Sequence, residues 1–380
     1  MIYFDNGATT YPKPRCVVNG VASTIRYKGG NPSRSSHRLS LLAGEEVYKT
    51  REAVAELLNA SFAENVVFTY NATYALNMAI KTLINEKCHV IISDIEHNSV
   101  KRPLNVLRGK IGIDISEYDS SLSLEDAIIP LIRTDTAAIV STLASNVTGK
   151  EIDFFSLSNI ANRYSLKLIV DASQAAGHRP IDLSKCDCDA LCAPAHKALF
   201  GIQGAGFVYF KDRYRKGNFI EGGSGTNSIE IEMPSLLPEG YEAGTLGVPA
   251  ISALRYGIEF IRDIGIENIE HHLNKLRALT AEGLRGMDGV TLYESYGGNV
   301  IFNLWDMSSH KLAGILDEND ICTRGGLHCA PSAHIKLGTL DRGAVRVSFS
   351  ILNTMDEVEH FLRTVKRISE KYSPYKENIR

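Results

Sequence analysis

The chain has 380 residues and a net charge of −3, and 44% of its residues are hydrophobic and 22% are charged. This length predicts two or three domains, and the composition is that of a soluble globular protein. The small negative charge, without a basic stripe, argues against a nucleic-acid binder, and no apolar run reaches the roughly 18 residues of a membrane span. The first residues, MIYFDNGATT, lack the basic region of a signal peptide, so we expect a cytoplasmic protein.

Short apolar segments alternate with amphipathic segments over the first 250 residues. A stripe of apolar residues at helical spacing runs through residues 42–58. Buried strands, rich in Val and Ile and without strict alternation, are predicted at residues 65–70, 88–93, 136–144, 166–171 and 205–210. Helices are predicted between them, for example at residues 73–86 and 153–165. This alternation predicts an α/β fold with a mostly parallel sheet.

The pattern changes near residue 250. Residues 249–286 read as a long helical region, and the segments VTLYES, NVIFNLW and AVRVSF read as strands. A closing helix is predicted from about residue 355 to 371, because Thr354 and Glu357 have the spacing of a capping box. We therefore expect a large domain at residues 15–250 and a smaller α+β domain that consists of residues 251–380 together with the N-terminal residues 1–14.

Polar residues follow five apolar segments at their carboxyl ends. They are Thr73, His97, Asn146, Asp171 and the pair His196 and Lys197. Ligands of open parallel sheets bind beyond the carboxyl ends of the strands, so these residues indicate one site, although a single Asn or Asp there is usually a turn former. Lys197 is not a P-loop lysine, because its glycines follow it and Ala198 stands where a hydroxyl is required.

This mixture of residue types suits pyridoxal 5'-phosphate (PLP). PLP needs a lysine for a Schiff base and a carboxylate that keeps the pyridine nitrogen protonated, roles that Lys197 and Asp171 can fill. A phosphate group binds at a helix start with the help of a hydroxyl, and Thr73 opens a predicted helix. His97 is available to stack on the ring.

The cysteines give no clear sign of a metal site or of a disulfide framework. The seven cysteines are irregularly spaced, which argues against disulfides. The group Cys186, Cys188 and Cys192 has no second pair of zinc ligands elsewhere. We interpret these three residues as small hydrophobic side chains that lead into a strand.

At these motifs the chain resembles the class V aminotransferases of PLP fold type I, and among them the cysteine desulfurases. The resemblance covers nearly the whole chain, in the segments IYFDNGATTYPKP, GNPSRSSHRLS, EHNS, SNVTG, DASQAAGH, AHKALFGIQGAG, EAGTLGVPA and AVRVSFSILNT. Each motif alone is weak, and together they are specific. The resemblance implies a large PLP-binding domain with a mostly parallel sheet flanked by helices, a smaller α+β C-terminal domain, PLP as cofactor and a homodimer.

The resemblance also implies a role for each matching residue. The implied cofactor contacts are Lys197 as the Schiff-base lysine, Asp171 at the pyridinium, His97 on the ring, Gln174 and Asn146 at the ring hydroxyl, and Thr73, His196 and Thr245 of the partner subunit at the phosphate. The implied substrate-binding residues are Asn31, Arg324, His328 and Arg346. Among these, Arg346 would clamp the substrate carboxylate, as a guanidinium does well.

The segment CTRGGLHCAPSAH, residues 322–334, resembles the Arg-x-Gly-His-His-Cys-Ala loop of type II cysteine desulfurases. The match makes Cys329 the nucleophile. A cysteine without context is usually inert, but basic neighbours, here Arg324 and His328, favour the thiolate. The reactivity of Cys329 is therefore an expectation that depends on the motif.

Five positions depart from the family pattern. Pro194 and Ala195 stand where a serine usually binds phosphate, so that contact is lost. Asn71 replaces a glycine of the phosphate loop, and we expect the turn to survive because Asn tolerates left-handed backbone. Leu327 replaces the first histidine before Cys-Ala, and Leu352 replaces a tyrosine.

The sequence therefore predicts a PLP-dependent cysteine desulfurase. It would convert L-cysteine into L-alanine and keep the sulfur as a persulfide on Cys329 for a sulfur acceptor such as a protein. A selenocysteine lyase would share nearly all of these residues, and a class V transaminase or epimerase with an incidental Cys329 is a further alternative. A non-catalytic scaffold in a sulfur-transfer complex has no need of Lys197, Asp171 and Cys329 together.

Overall fold

The computed structural model describes residues 1–32, 36–214, 216–217, 219–226 and 229–374. The strands are β1 Ile2–Tyr3, β2 Val66–Thr69, β3 His89–Ser93, β4 Asp114–Tyr118, β5 Thr136–Thr142, β6 Lys167–Asp171, β7 Ala190–Pro194, β8 Gly206–Phe210, β9 Val290–Leu292, β10 Asn299–Leu304, β11 Ile321–Cys322, β12 Arg324–Gly326 and β13 Ala344–Ser348. The helices are α1 Arg15–Tyr27, α2 Arg38–Leu58, α3 Ala72–Leu83, α4 Asn98–Ile111, α5 Leu124–Ile128, α6 Phe154–Arg163, α7 Val248–Ile264, α8 Ile266–Arg285, α9 Ser309–Asp317, α10 Pro331–Lys336 and α11 Met355–Lys371. Short 3-10 helices lie at Ala63–Asn65 and Ile129–Leu131.

The chain forms two compact units. Unit 1 comprises Met1–Pro12, Ala144–Glu151 and Glu267–Arg380, and unit 2 comprises Lys13–Leu143 and Ile152–Ile266. The domain boundaries expected from the sequence stay a prediction. Within the described ranges, no helix combines the length and the apolar character that crossing a membrane requires.

Unit 2 is built on a seven-stranded sheet in the order β2-β8-β7-β6-β5-β3-β4. The pairs from β7 through β6, β5 and β3 to β4 are parallel, and β8 alone runs antiparallel to its neighbours β7 and β2. Strands β2, β3 and β7 are buried along their whole length, which explains their continuous runs of apolar residues. The α/β fold with a mostly parallel sheet is therefore confirmed.

Helices pack against this sheet and against one another. Helix α3 contacts β6, β7 and β8, and α1 and α2 contact α7. Buried residues shared by these layers include Val67, Leu76, Ile80, Val90, Val140, Ile169 and Val208. The sheet order brings the carboxyl ends of β7, β6, β5 and β3 side by side, with β2 beyond the reversed strand β8. That edge is where the sequence predicts a site.

Unit 1 is a smaller α+β unit. Its antiparallel sheet has the order β12-β13-β10-β9, and β1 pairs with β11 in parallel. The predicted capping box of α11 is confirmed, because the Glu357 amide donates to Thr354 Oγ1 at 3.2 Å and the Thr354 amide donates to Glu357 Oε2 at 2.9 Å. The helical region predicted at residues 249–286 is two helices, since Gly265 adopts a φ of 87° that ends α7.

Candidate active site

Asp171 ends β6 as a buried carboxylate, 3% exposed. Its Oδ1 accepts a hydrogen bond from the Ser173 amide at 2.9 Å, and its backbone oxygen accepts from Thr142 Oγ1 at 3.3 Å. Thr142 ends the neighbouring strand β5 and pairs with Asp171 in register. A carboxylate fixed in this way at the carboxyl edge of a parallel sheet can hold a buried positive charge.

Glu96 is a second buried carboxyl in this region, and no sequence motif marks it as a site residue. Its Oε1 accepts hydrogen bonds from Ser93 Oγ and from the Thr142 amide, the latter at 2.8 Å, and its Oε2 has no hydrogen-bond partner within the described residues. Burial, with a smaller contribution from the negative charge of Asp171, raises the pKa of Glu96 to about 8. Glu96 is therefore uncharged at neutral pH.

Thr73 and His97 are joined through Ser99. Thr73, in the first turn of α3, lies 2.7 Å from Ser99 Oγ, and Ser99 Oγ lies 2.9 Å from Nδ1 of His97. The Ser99 amide also donates to His97 Nδ1 at 3.0 Å, so this nitrogen carries no proton. Ser99 belongs to the EHNS motif, but only the folded chain reveals that it connects the two predicted residues.

The turn before α3 differs from the sequence-based expectation. Asn71 has an extended backbone, with φ −172° and ψ 174°, and is therefore not left-handed. Instead its side chain caps α3 by accepting from the Tyr74 amide at 2.9 Å. The first N–H groups of an α-helix lack partners inside the helix, and Thr73 is exposed beside them.

His196 and Lys197 directly follow β7, and a further lysine joins them. Lys13 Nζ donates to the backbone oxygen of His196 at 2.9 Å. Burial lowers the pKa of Lys13 to about 8. Burial, and then the positive charges of Lys197 and Lys13, lower the pKa of His196 to about 4, so its imidazole is neutral at pH 7. Lys13 lies in the motif IYFDNGATTYPKP, but its approach to residue 196 is a tertiary contact.

Asn31 and Thr245 lie together, because Asn31 Nδ2 donates to Thr245 Oγ1 at 3.2 Å. The segment before Thr245 is anchored by Glu242, whose two carboxylate oxygens each lie 2.9 Å from the Arg51 guanidinium and whose Oε1 also accepts from the Phe68 amide at 2.7 Å. Thr245 itself is exposed. Gln174 is partly buried, after the end of β6.

Asn146 and Arg346 belong to unit 1, where they contact each other. Arg346, on β13, is 1% exposed; its Nη1 donates to the Asn146 backbone oxygen and its Nη2 to Asp5 Oδ1, both at 2.6 Å. A Cβ on Gly7 would lie 2.9 Å from Arg346 Cζ, so a larger residue at this position would displace the guanidinium. A substrate carboxylate that binds Arg346 must therefore compete with Asp5.

Cys329 is exposed on the turn after β12. Its sulfur lies 4.0 Å from Nη2 of Arg324. Asn146 Nδ2 donates to the backbone oxygen of the preceding residue, His328, at 2.6 Å. His328 is 3% exposed, and burial, followed by the charge of Arg346, lowers its pKa to about 2. The expectation that His328 supplies positive charge to Cys329 is therefore wrong, and Arg324 is the cation beside this sulfur.

The cysteine group at residues 186–192 lies just before β7 and within it. Cys188 and Cys192 are buried, and Cys192 lies in β7, as predicted for small hydrophobic residues at a strand, whereas Cys186 is partly exposed. Pro194 closes the same strand and Ala195 is fully buried. In the part of the chain that the structure describes, no group of three or more His, Cys, Asp or Glu residues is arranged to hold a metal ion.

These features agree with a known family. The sequence model of the family described as Aminotransferase class-V matches residues 2–361, and the chain belongs to this family. A probable cysteine desulfurase from Pyrococcus abyssi is 31% identical, with 97% of this chain and 94% of the relative covered. An apo cysteine desulfurase from Thermococcus onnurineus has a TM-score of 0.91 at 30% identity, covering 97% and 95% of the two chains. The cysteine desulfurase CsdA of Escherichia coli, in an S-sulfonic acid form, has a TM-score of 0.88 at 25% identity, covering 97% and 94%.

Proposed function

We propose that the protein is a PLP-dependent cysteine desulfurase that stores the sulfur of L-cysteine as a persulfide on Cys329. The observation that carries this proposal is the exposed Cys329 sulfur, which lies 4.0 Å from the Arg324 guanidinium. The same chain carries the buried Asp171 and the partly buried Lys197 after the ends of the adjacent strands β6 and β7. A class V transaminase or epimerase has no use for such a thiol. The cysteine desulfurases among its relatives support the same reading.

The residues of unit 2 fit PLP. Asp171 is a buried carboxylate suited to a protonated ring nitrogen, and the neutral Glu96 places no second negative charge beside it. Lys197 follows the neighbouring strand and supplies the amine. Thr73 stands at the start of α3, a suitable place for a phosphate group. The neutral His196 can donate a hydrogen bond to that phosphate without adding charge.

The proposed mechanism assigns one task to each side chain. When bound, PLP acts as the electron sink for the substrate Cα. Lys197 takes the Cα proton, and Asp171 holds the positive charge at the ring nitrogen. The Cys329 thiolate attacks the substrate sulfur, the Cβ–S bond breaks, and its electron pair returns to the substrate carbon. Protonation of that carbon and return of a proton from Lys197 to the Cα complete L-alanine, which leaves, and the persulfide stays on Cys329.

We propose that Arg346 binds the substrate carboxylate by displacing Asp5 from one arm of its guanidinium. We further propose a homodimer in which the exposed Thr245 reaches the phosphate of the partner subunit. The segment that carries Thr245 is held by the buried pair of Arg51 and Glu242, which keeps an exposed threonine in a defined position. The acceptor of the persulfide is then a protein or a thiol that approaches the exposed Cys329.

Purified PLP-loaded enzyme supplied with L-cysteine and a reductant tests the function. We expect L-alanine and sulfide in equal amounts, and no pyruvate. 3-Mercaptopyruvate without L-alanine or sulfide would support a transaminase, which leaves the Cβ–S bond intact, and would overturn the proposal. A parallel reaction with L-selenocysteine separates the nearest alternative, because a selenocysteine lyase releases selenide and alanine but leaves L-cysteine unchanged.

A further inference from the structure

A chain of hydrogen bonds lies behind the turn that carries Cys329, and the proposed mechanism does not use it. Nδ1 of His328 lies 3.0 Å from Nε2 of His334, and Nδ1 of His334 lies 2.8 Å from Oγ1 of Thr339. The other ring nitrogen of His328 lies 3.1 Å from the backbone oxygen of Arg324. The three side-chain residues are buried, with exposures of 3%, 0% and 1%.

The chemistry of the groups shows which atom donates and which accepts in each of these hydrogen bonds. A carbonyl oxygen only accepts, so His328 Nε2 carries a proton and donates to Arg324. Burial lowers the pKa of His328 to about 2 and that of His334 to about 4, so both rings are neutral at pH 7 and each carries one proton. Nδ1 of His328 therefore accepts from Nε2 of His334, and Nδ1 of His334 accepts from the hydroxyl of Thr339.

The turn that this chain supports has an unusual backbone. His328 and Cys329 have φ values of 52° and 57°, two consecutive left-handed residues with side chains. Such conformations persist only where the surroundings fix them. Here His328 is fixed through its ring by Arg324 and His334, and through its backbone oxygen by Asn146 at 2.6 Å. Loss of the ring contacts leaves the turn free to relax toward commoner backbone angles.

We propose that His334 and Thr339 are positioning residues for Cys329: they hold the ring of His328 in one tautomer and thereby hold the left-handed turn that presents the sulfur. The role of Cys329 as sulfur acceptor rests on the proposed function, whereas the stabilisation of the turn by His334 and Thr339 does not. Neither His334 nor Thr339 touches substrate in this account. They act through His328 and the backbone.

The variants Thr339→Val and Thr339→Ser test this proposal. Valine keeps the shape of the side chain but removes the donor to His334, and serine restores it. Thr136→Val is a matched control, because Thr136 Oγ1 lies 2.8 Å from Nδ1 of the buried His89 at the amino-terminal end of β3. If Thr339→Val does not fold, His334→Gln and His334→Leu replace it, since a Gln amide can still donate toward His328 and Leu cannot.

Two measurements are made on the PLP-loaded protein. The first is the rate of Cys329 persulfide formation in the first turnover, with the KM for L-cysteine. We expect Thr339→Val to lower that rate about tenfold or more, as misplacement of a reacting group does, with KM changed less than about twofold. The serine variant and Thr136→Val should keep the wild-type rate. Unchanged persulfide formation in Thr339→Val, or an equal loss in Thr136→Val, would overturn the proposal.

The second measurement is amide hydrogen exchange without substrate. We expect faster exchange at residues 327–330 in Thr339→Val, with wild-type exchange in Thr339→Ser. This readout does not require desulfurase activity. If no variant makes persulfide but the turn loosens as described, the proposed function fails and the positioning role stands; if exchange at the turn is unchanged, the positioning role fails.

Discussion

Glu96→Gln should change how the stability of the protein depends on pH. Burial raises the pKa of Glu96 from its ordinary value of 4.5 to about 8, and the carboxyl is 0% exposed. A carboxyl with a raised pKa in the folded state contributes stability that is fully present below pH 4.5 and is lost as the pH rises toward 8. At about 1.4 kcal/mol per pKa unit, the loss is about 5 kcal/mol over this range and about 3 kcal/mol by pH 7.

Glutamine keeps the oxygen that accepts from the Thr142 amide and does not titrate. The amide group that replaces Oε2 lacks an acceptor among the described residues, but this cost is the same at every pH. The unfolding free energy of Glu96→Gln minus that of the wild type should therefore rise by about 3 kcal/mol between pH 4.5 and 7.

Urea unfolding at pH 4.5, 5.5, 7 and 8, at one protein concentration and without PLP, measures this difference. Glu52→Gln, which removes an exposed carboxylate from α2, is the control for losing one negative charge. Parallel pH curves for wild type and Glu96→Gln would refute the reasoning, because they would show that Glu96 ionises in the fold as easily as in the unfolded chain.

Three further predictions follow from the site. Lys197→Ala should lose the visible absorbance of bound PLP, and borohydride reduction followed by mass spectrometry should mark Lys197 in the wild type; a mark on Lys13 would contradict the assignment. The pKa of Lys13, lowered to about 8, makes the folded protein more stable as the pH rises from 8 to 10.5, and Lys13→Met should abolish this rise in urea unfolding. Light scattering of the PLP-loaded protein should report a dimer at micromolar concentration, and a stable PLP-loaded monomer would exclude the proposed role of Thr245.

Much of the sheet could be predicted from the sequence, because its central strands are buried on both faces and appear as runs of Val and Ile. Strand β4 could not be predicted in this way. It lies at the edge of the sheet, and its sequence, DISEY, contains exposed polar residues instead of a continuous apolar run. Strand β12, with the sequence RGG, also lacks apolar signal and exists because it pairs with β13. The break in the long helical region falls at Gly265, a residue that can adopt positive φ.

The residues at the strand ends could likewise be found from motifs, but their protonation states could not. His328 lies beside Cys329 in sequence and reads as a basic neighbour, whereas burial makes it neutral. Lys13 contacts a residue 183 positions away. Glu96 differs from the buried Glu46 and Glu242, which are paired with basic side chains, because its hydrogen bonds come from Ser93 and the Thr142 amide. Such properties depend on how distant segments come together, which one sequence does not encode in any local pattern.

The central claim is that Cys329 takes the sulfur, and one measurement tests it directly. Wild-type enzyme, Cys329→Ala and Cys322→Ala are each mixed with L-cysteine for one turnover, and their peptides are mapped by mass spectrometry while sulfide release is followed with a reductant. We expect one added sulfur atom on Cys329 in the wild type and in Cys322→Ala. Cys329→Ala should retain the spectrum of bound PLP and release sulfide at least about a hundredfold more slowly, as expected when a covalent nucleophile is lost. Wild-type sulfide release by Cys329→Ala, or an added sulfur on Cys322, would contradict the account.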